Sequence, residues 1–173
     1  ETITIPAGIL QKGENILLLH TLFPGNGAGL ENIFLLGDFG VNGDHITTPV
    51  RQLPFGNWVE KGLPYYTGNL IYELPLPPDT TAVKITDWRG TALAYAVDDQ
   101  DEFTLLAWPP FIIPVSGGKR LRIKVLNSRR NAFGPFFLKN LWPSWTGPDQ
   151  FTTFETGEHQ LVPCGILTPP EFL

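Results

Sequence analysis

Apolar and polar positions along much of this chain alternate with the period of β-structure. Leu70, Tyr72, Leu74 and Leu76 fall on one side of a run whose other side holds Asn69, Ile71, Glu73 and Pro75, which predicts a half-buried strand. Proline lacks the N–H that a ladder needs, so Pro75, Pro77 and Pro78 predict its end. Val83 and Ile85 alternate with Lys84 and Thr86 in a second strand. From 91 to 97 the large Leu93, Tyr95 and Val97 oppose the small Ala92, Ala94 and Ala96. An acidic turn at 98–102 then precedes a strand at 103–108. The clearest alternation lies at 120–125, where Leu121, Ile123 and Val125 face one way and Arg120, Arg122 and Lys124 the other.

An internal echo bears on domain organisation. Ile5-Pro6, Gly13-Glu14-Asn15 and Ile16-Leu17-Leu18-Leu19 match Ile113-Pro114, Gly118-Lys119-Arg120 and the strong strand from Leu121 onward. Any β-hairpin can produce such a match. The sharper reading is that residues 1–23 are the closing strands of an upstream copy of the same module. Residues 24–57 are then a Gly-rich connection, and 58–173 the complete copy. The expected division is thus 1–57, packed on the main sandwich, and 58–173.

Composition narrows the class. With 18 glycines and 17 prolines the chain is punctuated too densely for long helices, and an all-β fold of short strands is expected. Its 5 Trp, 4 Tyr and 12 Phe are more aromatics than a solvated chain carries. A net charge of -5 gives no footprint for nucleic acid or anionic lipid, and no apolar run approaches the ~20 residues of a membrane span. Lys119, Arg120, Arg122, Lys124, Arg129 and Arg130 cluster, but in an acidic chain such a stripe reads as a solvated outer strand face. With no Met and an opening Glu1-Thr2-Ile3, the chain is expected to be a mature or excised piece. Its single cysteine, Cys164, excludes an internal disulfide and suits a cytosolic or a Gram-negative secreted protein.

Candidate chemistry is sparse. His20, His45 and His159 lack metal-ligand spacing, and no nucleophile elbow or phosphate-cradling glycine loop occurs. Glycoside hydrolysis needs two carboxylates at a set separation, for which Glu31, Asp38, Asp44, Asp87 and Glu155 are candidates, although such groups more often form turns. Asp98, Asp99 and Asp101 offer oxygens to Ca²⁺ but without the spacing of a dedicated loop, so a hydrated turn is the favoured reading. Aromatics are more suggestive, because sugar C–H faces stack on Trp and Tyr rings while hydroxyls need polar partners beside them. Asp87-Trp88-Arg89 supplies ring, carboxylate and guanidinium together. Trp142 and Trp145 stand in a proline-stiffened loop, and Arg129, Arg130 and Asn131 follow a strand. Trp58 and Trp108 read as structural.

Trp58, Gly62, Pro64-Tyr65-Tyr66, Gly68 and Tyr72 together resemble the opening of the sugar-binding jelly-roll domain of glycoside hydrolase family 2-like proteins. The later order of strands, which by the resemblance includes a Pro-containing strand at 109–114 before closing on Gly118-Lys119-Arg120-Leu121 with Ile123 and Val125, continues the resemblance. The flanks at 30–41, 128–135, 147–151 and 161–167 are similar to those of large bacterial glycosidase-like proteins of Bacteroidetes type; Cys164 stands where that pattern has an aromatic residue. The resemblance implies a galactose-binding-like jelly-roll β-sandwich, accessory to a catalytic barrel elsewhere, and no catalytic residue carries over. The expected function is a non-catalytic carbohydrate-binding or accessory module of a secreted, periplasmic or cell-surface bacterial glycoside hydrolase. Its partners would be a plant or host glycan and neighbouring domains, with no nucleic acid, no membrane and no cofactor beyond a weak Ca²⁺ candidate. Two alternatives stay open: a β-sandwich that only packs between domains, and a glycosidase fragment.

Overall fold

The computed structural model describes residues 2–6, 8–20, 22, 33–136 and 158–173, and the chain divides into two units, Glu1–Leu36 and Gly37–Leu173. No described residue of the first unit belongs to a strand. Its Gly13 turn is closed by Asn15, whose Oδ1 accepts from Gln11 N at 2.9 Å while its Nδ2 donates to the carbonyls of Gln11 (2.9 Å) and Gly13 (3.0 Å). The side chain replaces ladder bonds here, as Asn does in many turns.

The second unit is all-β, with every strand pair antiparallel. In chain order the strands are β1 (Gly40–Asn42), β2 (His45–Thr47), β3 (Leu70–Pro75), β4 (Ala82–Lys84), β5 (Trp88–Arg89), β6 (Ala92–Val97), β7 (Thr104–Leu106), β8 (Ile112–Pro114), β9 (Arg120–Leu126), β10 (Gly165–Ile166) and β11 (Glu171–Phe172). Helix among the described residues is limited to a 3₁₀ turn at Trp58–Lys61 and one α-turn, α1, at Arg130–Phe133. None of it is long and apolar enough to cross a membrane.

The principal sheet runs β3-β9-β6-β7, and a smaller one β11-β4-β8. Register aligns Tyr72 with Ile123 and Tyr95, and Leu74 with Leu121 and Val97, so one face of three strands is apolar as the alternation predicts. That face meets Val83 and Ile113 of the smaller sheet in a common core with Trp58 and Ile166, a sandwich-like arrangement. On the opposite face Ala94 and Ala96 pair with Lys124 and Arg122, whose cationic ends lie 3.9 and 5.2 Å from the centre of the Phe103 ring. Alanine leaves room there for the long stems to cover the sheet while the charges reach water.

Three details depart from the expected pattern. The strand expected at 103–108 stops at Leu106, and that expected at 109–114 begins only at Ile112. Residues 40–47, expected within a connection, form the β1-β2 hairpin, turned through Gly43 at φ 60°. The two-residue strands β5, β10 and β11 are too short for periodicity to reveal.

Trp58 holds these pieces together. Asn57 caps the 3₁₀ turn through Val59 N (3.2 Å) and also accepts from Cys164 N at 3.1 Å, while Trp58 N donates to Cys164 O at 2.9 Å. The fully buried indole donates through Nε1 to Tyr72 Oη at 2.5 Å, and Phe55 stacks on Tyr72 with ring centres 5.2 Å apart. Gly165 at φ 114° lies against the indole, where a Cβ would collide with it. Trp58→Ala is expected to cost ~3–5 kcal/mol as a buried-aromatic cavity. Tyr72→Phe, which orphans the indole N–H, is expected to cost ~1–3 kcal/mol, both measured by urea denaturation.

Candidate functional site

Strand ends decide which loops meet. Leu93 pairs with both Leu106 and Val125, so the start of β6, the end of β7 and the end of β9 lie at one end of the principal sheet. Thr91 N donates to Leu126 O at 2.8 Å, and Ile85 N to Phe111 O at 2.9 Å, bringing the chain around β5 to that same end. Here a cavity of about 270 Å³ opens between Arg89 and Gly90 after β5, Asn127, Ser128 and Asn131 after β9, and Val162, Pro163 and Cys164 before β10.

Side-chain amides frame this cavity. Asn131 exchanges two 2.9 Å bonds with the backbone of Val162, Nδ2 donating to the carbonyl and Oδ1 accepting from the N–H. Asn127 donates through Nδ2 to Tyr66 O at 2.5 Å, and its Oδ1 accepts from Ser128 N at 2.8 Å and from the Cys164 thiol. Ser128 Oγ accepts from Arg130 N at 3.3 Å. Neither amide was singled out as a frame in the sequence; the tandem Asn127-Ser128 at a strand end was its one signal.

Arg89 projects from β5 with its side chain 56% exposed. Its Nη1 donates to Asp87 Oδ1 and to Trp88 O, each at 2.8 Å. The sequence-predicted residues Arg89 and Asn131 therefore line one cavity, with Asp87 paired to Arg89. Trp88 is half-buried and packs edge-on against Phe111, ring centres 5.1 Å apart, so its ring supports the loop from within. Arg129 is exposed beyond β9, and Arg130 Nη1 donates to Gly134 O, partial burial holding its guanidinium below its usual value. Trp142 and Trp145 lie outside the described residues.

Trp108 corrects an expectation. Read as structural, it is 82% exposed. Because β7 ends at Leu106, Trp108 falls not in a strand but in the loop before the cis Pro109-Pro110 bond, at the same end as the cavity.

At the opposite end, the acidic turn is occupied by its own neighbours. Asp98, at φ 51°, accepts at Oδ1 from Lys119 N (2.8 Å) and Arg120 N (2.9 Å), and Asp99 pairs with Arg120 at 2.6 Å. These backbone bonds, with the charges of Lys119 and Arg120, hold the Asp98 carboxyl below the usual range. No cluster of three metal-ligating side chains occurs among the described residues. Of the carboxylates considered for glycoside hydrolysis, Asp38 pairs with Arg51, Asp44 with His45 and Asp87 with Arg89, while Glu31 and Glu155 lie outside the described residues.

Set against protein-family models, curated proteins and solved structures, the chain matches none.

Two measurements check these environments. Burial pushes the Cys164 thiol up to about 11, so its thiolate is scarce at pH 8. Alkylation by iodoacetamide at that pH should run about 100-fold slower in the folded protein than in urea; equal rates would place the thiol in solvent. The depressed Asp98 carboxyl contributes stability above the ordinary carboxylate value of about 3.9 and loses it as pH falls through its folded value. The difference in Tm between the wild type and Asp98→Asn should therefore narrow as pH drops from about 6 to about 2.5.

Proposed function

We propose that this chain is a non-catalytic carbohydrate-binding or accessory module of a secreted or cell-surface bacterial glycoside hydrolase, of galactose-binding-like jelly-roll type. The observation that carries the reading is the joint placement of a cavity with hydrogen-bonding side chains in its lining and an exposed indole, Trp108, at one end of the sandwich-like unit. A sugar ring needs both: an aromatic face for its C–H surface and hydrogen-bonding groups for its hydroxyls. The resemblance of the Trp58–Tyr72 region and the flanks to glycosidase sugar-binding domains supports it independently. Asp87, Arg89, Arg129, Arg130 and Asn131 are the proposed polar surround, and the Trp88 carbonyl anchors Arg89 while its ring packs on Phe111.

In this reading the isolated chain hydrolyses nothing. Each described carboxylate considered for that chemistry already pairs with a cationic or histidine neighbour.

A second reading, packing between domains, rests on exposed apolar side chains. Leu105 is 61% exposed, and Ile112, Phe133, Phe172 and Leu173 are exposed as well. Such surface is ordinarily covered by a neighbour when it is contiguous.

A glycan array followed by calorimetry separates the two. The carbohydrate reading expects binding that Trp108→Ala weakens by roughly five- to thirty-fold, the ~1–2 kcal/mol of a stacking ring, with Tm nearly unchanged. Absence of any glycan bound by the intact chain would leave the packing reading in place.

A further inference from the structure

The bonding around the cavity says which atoms remain for a ligand. Among the described residues that line it, none carries a carboxylate. The side-chain acceptors are already engaged: Asn127 Oδ1 by Ser128 N and the Cys164 thiol, Asn131 Oδ1 by Val162 N, and Ser128 Oγ by Arg130 N. The strongest group left for a ligand is a charged donor, Arg89. Arg89 uses Nη1 for Asp87 and Trp88 O, and that double anchor fixes the plane of the guanidinium. Its Nε and Nη2 edge makes no bond among the described residues, and Ser128 shares the cavity lining with it.

Two parallel donors on one guanidinium edge match the two oxygens of a carboxylate. A neutral sugar hydroxyl gains less there, because it presents a single acceptor atom and no charge. Asp87 offsets part of the Arg89 charge, but Arg129 stands exposed next to Ser128 and forms no ion pair among the described residues. Cavity size sets the other limit. At about 270 Å³ it lies at or below the lower end of ligand pockets, roughly 300–1,000 Å³, which suits one pyranose ring rather than a stretch of chain.

We infer that the Arg89 cavity recognises the carboxylate of a single, terminal hexuronic acid residue of an acidic oligosaccharide. This rests on the carbohydrate reading above and deepens it, assigning the charge class of the sugar and the group that selects it.

The test compares trimers of galacturonic and glucuronic acid with the same trimers after carboxyl reduction, by calorimetry on the unmodified chain at neutral pH. At least one uronate trimer should bind, and its carboxyl-reduced form about tenfold more weakly, as expected for a charge-assisted pair at a half-exposed site. Rising salt should weaken the uronate and leave the reduced trimer little affected. Arg89→Gln should lower uronate affinity about tenfold, and Arg89→Lys should recover part of it by restoring charge without the fork. Because carboxyl reduction changes only the ligand, a misfolded Arg89 variant does not blunt the test. Equal affinity for the uronate and reduced trimers would overturn the inference while leaving carbohydrate binding intact. Binding to neither, together with an empty glycan array, would remove the carbohydrate reading and this inference with it.

Discussion

The buried Trp58 indole is the constraint on which the second unit depends. An indole N–H removed from water needs an acceptor, and the hydroxyl of Tyr72 supplies it from the middle of β3. That bond sets the rotation of both rings, and Phe55 stacks against the result. The backbone on either side of Trp58 is tied to Cys164, so the segment 162–166 is drawn alongside the 3₁₀ turn although more than a hundred residues separate them. Gly165 follows from the same contact, since no other residue tolerates both its φ and the nearness of the indole.

Segments too irregular for a ladder are fastened instead by asparagine side chains. Asn57, Asn127 and Asn131 each bridge backbone groups distant in sequence, reaching Cys164, Tyr66 and Val162. An amide carries one donor group and one acceptor, so it can stand in for a missing peptide partner where strands have ended. The consequence for the cavity is chemical as well as structural. Framing engages the amides on both their donor and acceptor sides, and Arg89 is left with a free guanidinium edge for a ligand.

The two ends of the principal sheet thereby acquire different characters. At one, Asp98 and Asp99 face the cations at the start of β9 and the charges are internally balanced. At the other, Arg89 pairs with Asp87 through one nitrogen, and an exposed tryptophan follows the end of β7. Between them, the outer face is finished by alanines beneath Arg122, Lys124 and Phe103, and the stripe of cations is a consequence of that covering.

The alternation at 70–76, 91–97 and 120–125 by itself determined the all-β class, the three central strands and which of their side chains face the core. Those strands are long enough for a period of two to be legible, and each buries a single face. The stretches Asp87-Trp88-Arg89 and Arg129-Arg130-Asn131 also marked Arg89 and Asn131 as polar groups at strand ends. What only the tertiary structure decided was how those ends are shared. Two-residue strands such as β5 and β10 carry no periodicity, and exist because a partner hundreds of atoms away completes their bonds. Periodicity likewise left the roles of Trp88 and Trp108 open, since each stands near the end of an expected strand with a Gly or a Pro close behind it. Trp88 packs inward because Phe111 lies across from it; Trp108 points to solvent because β7 ends two residues before it. Periodicity reports which face of a long strand is apolar, but a ring in a two-residue strand or a loop takes its environment from its tertiary neighbours.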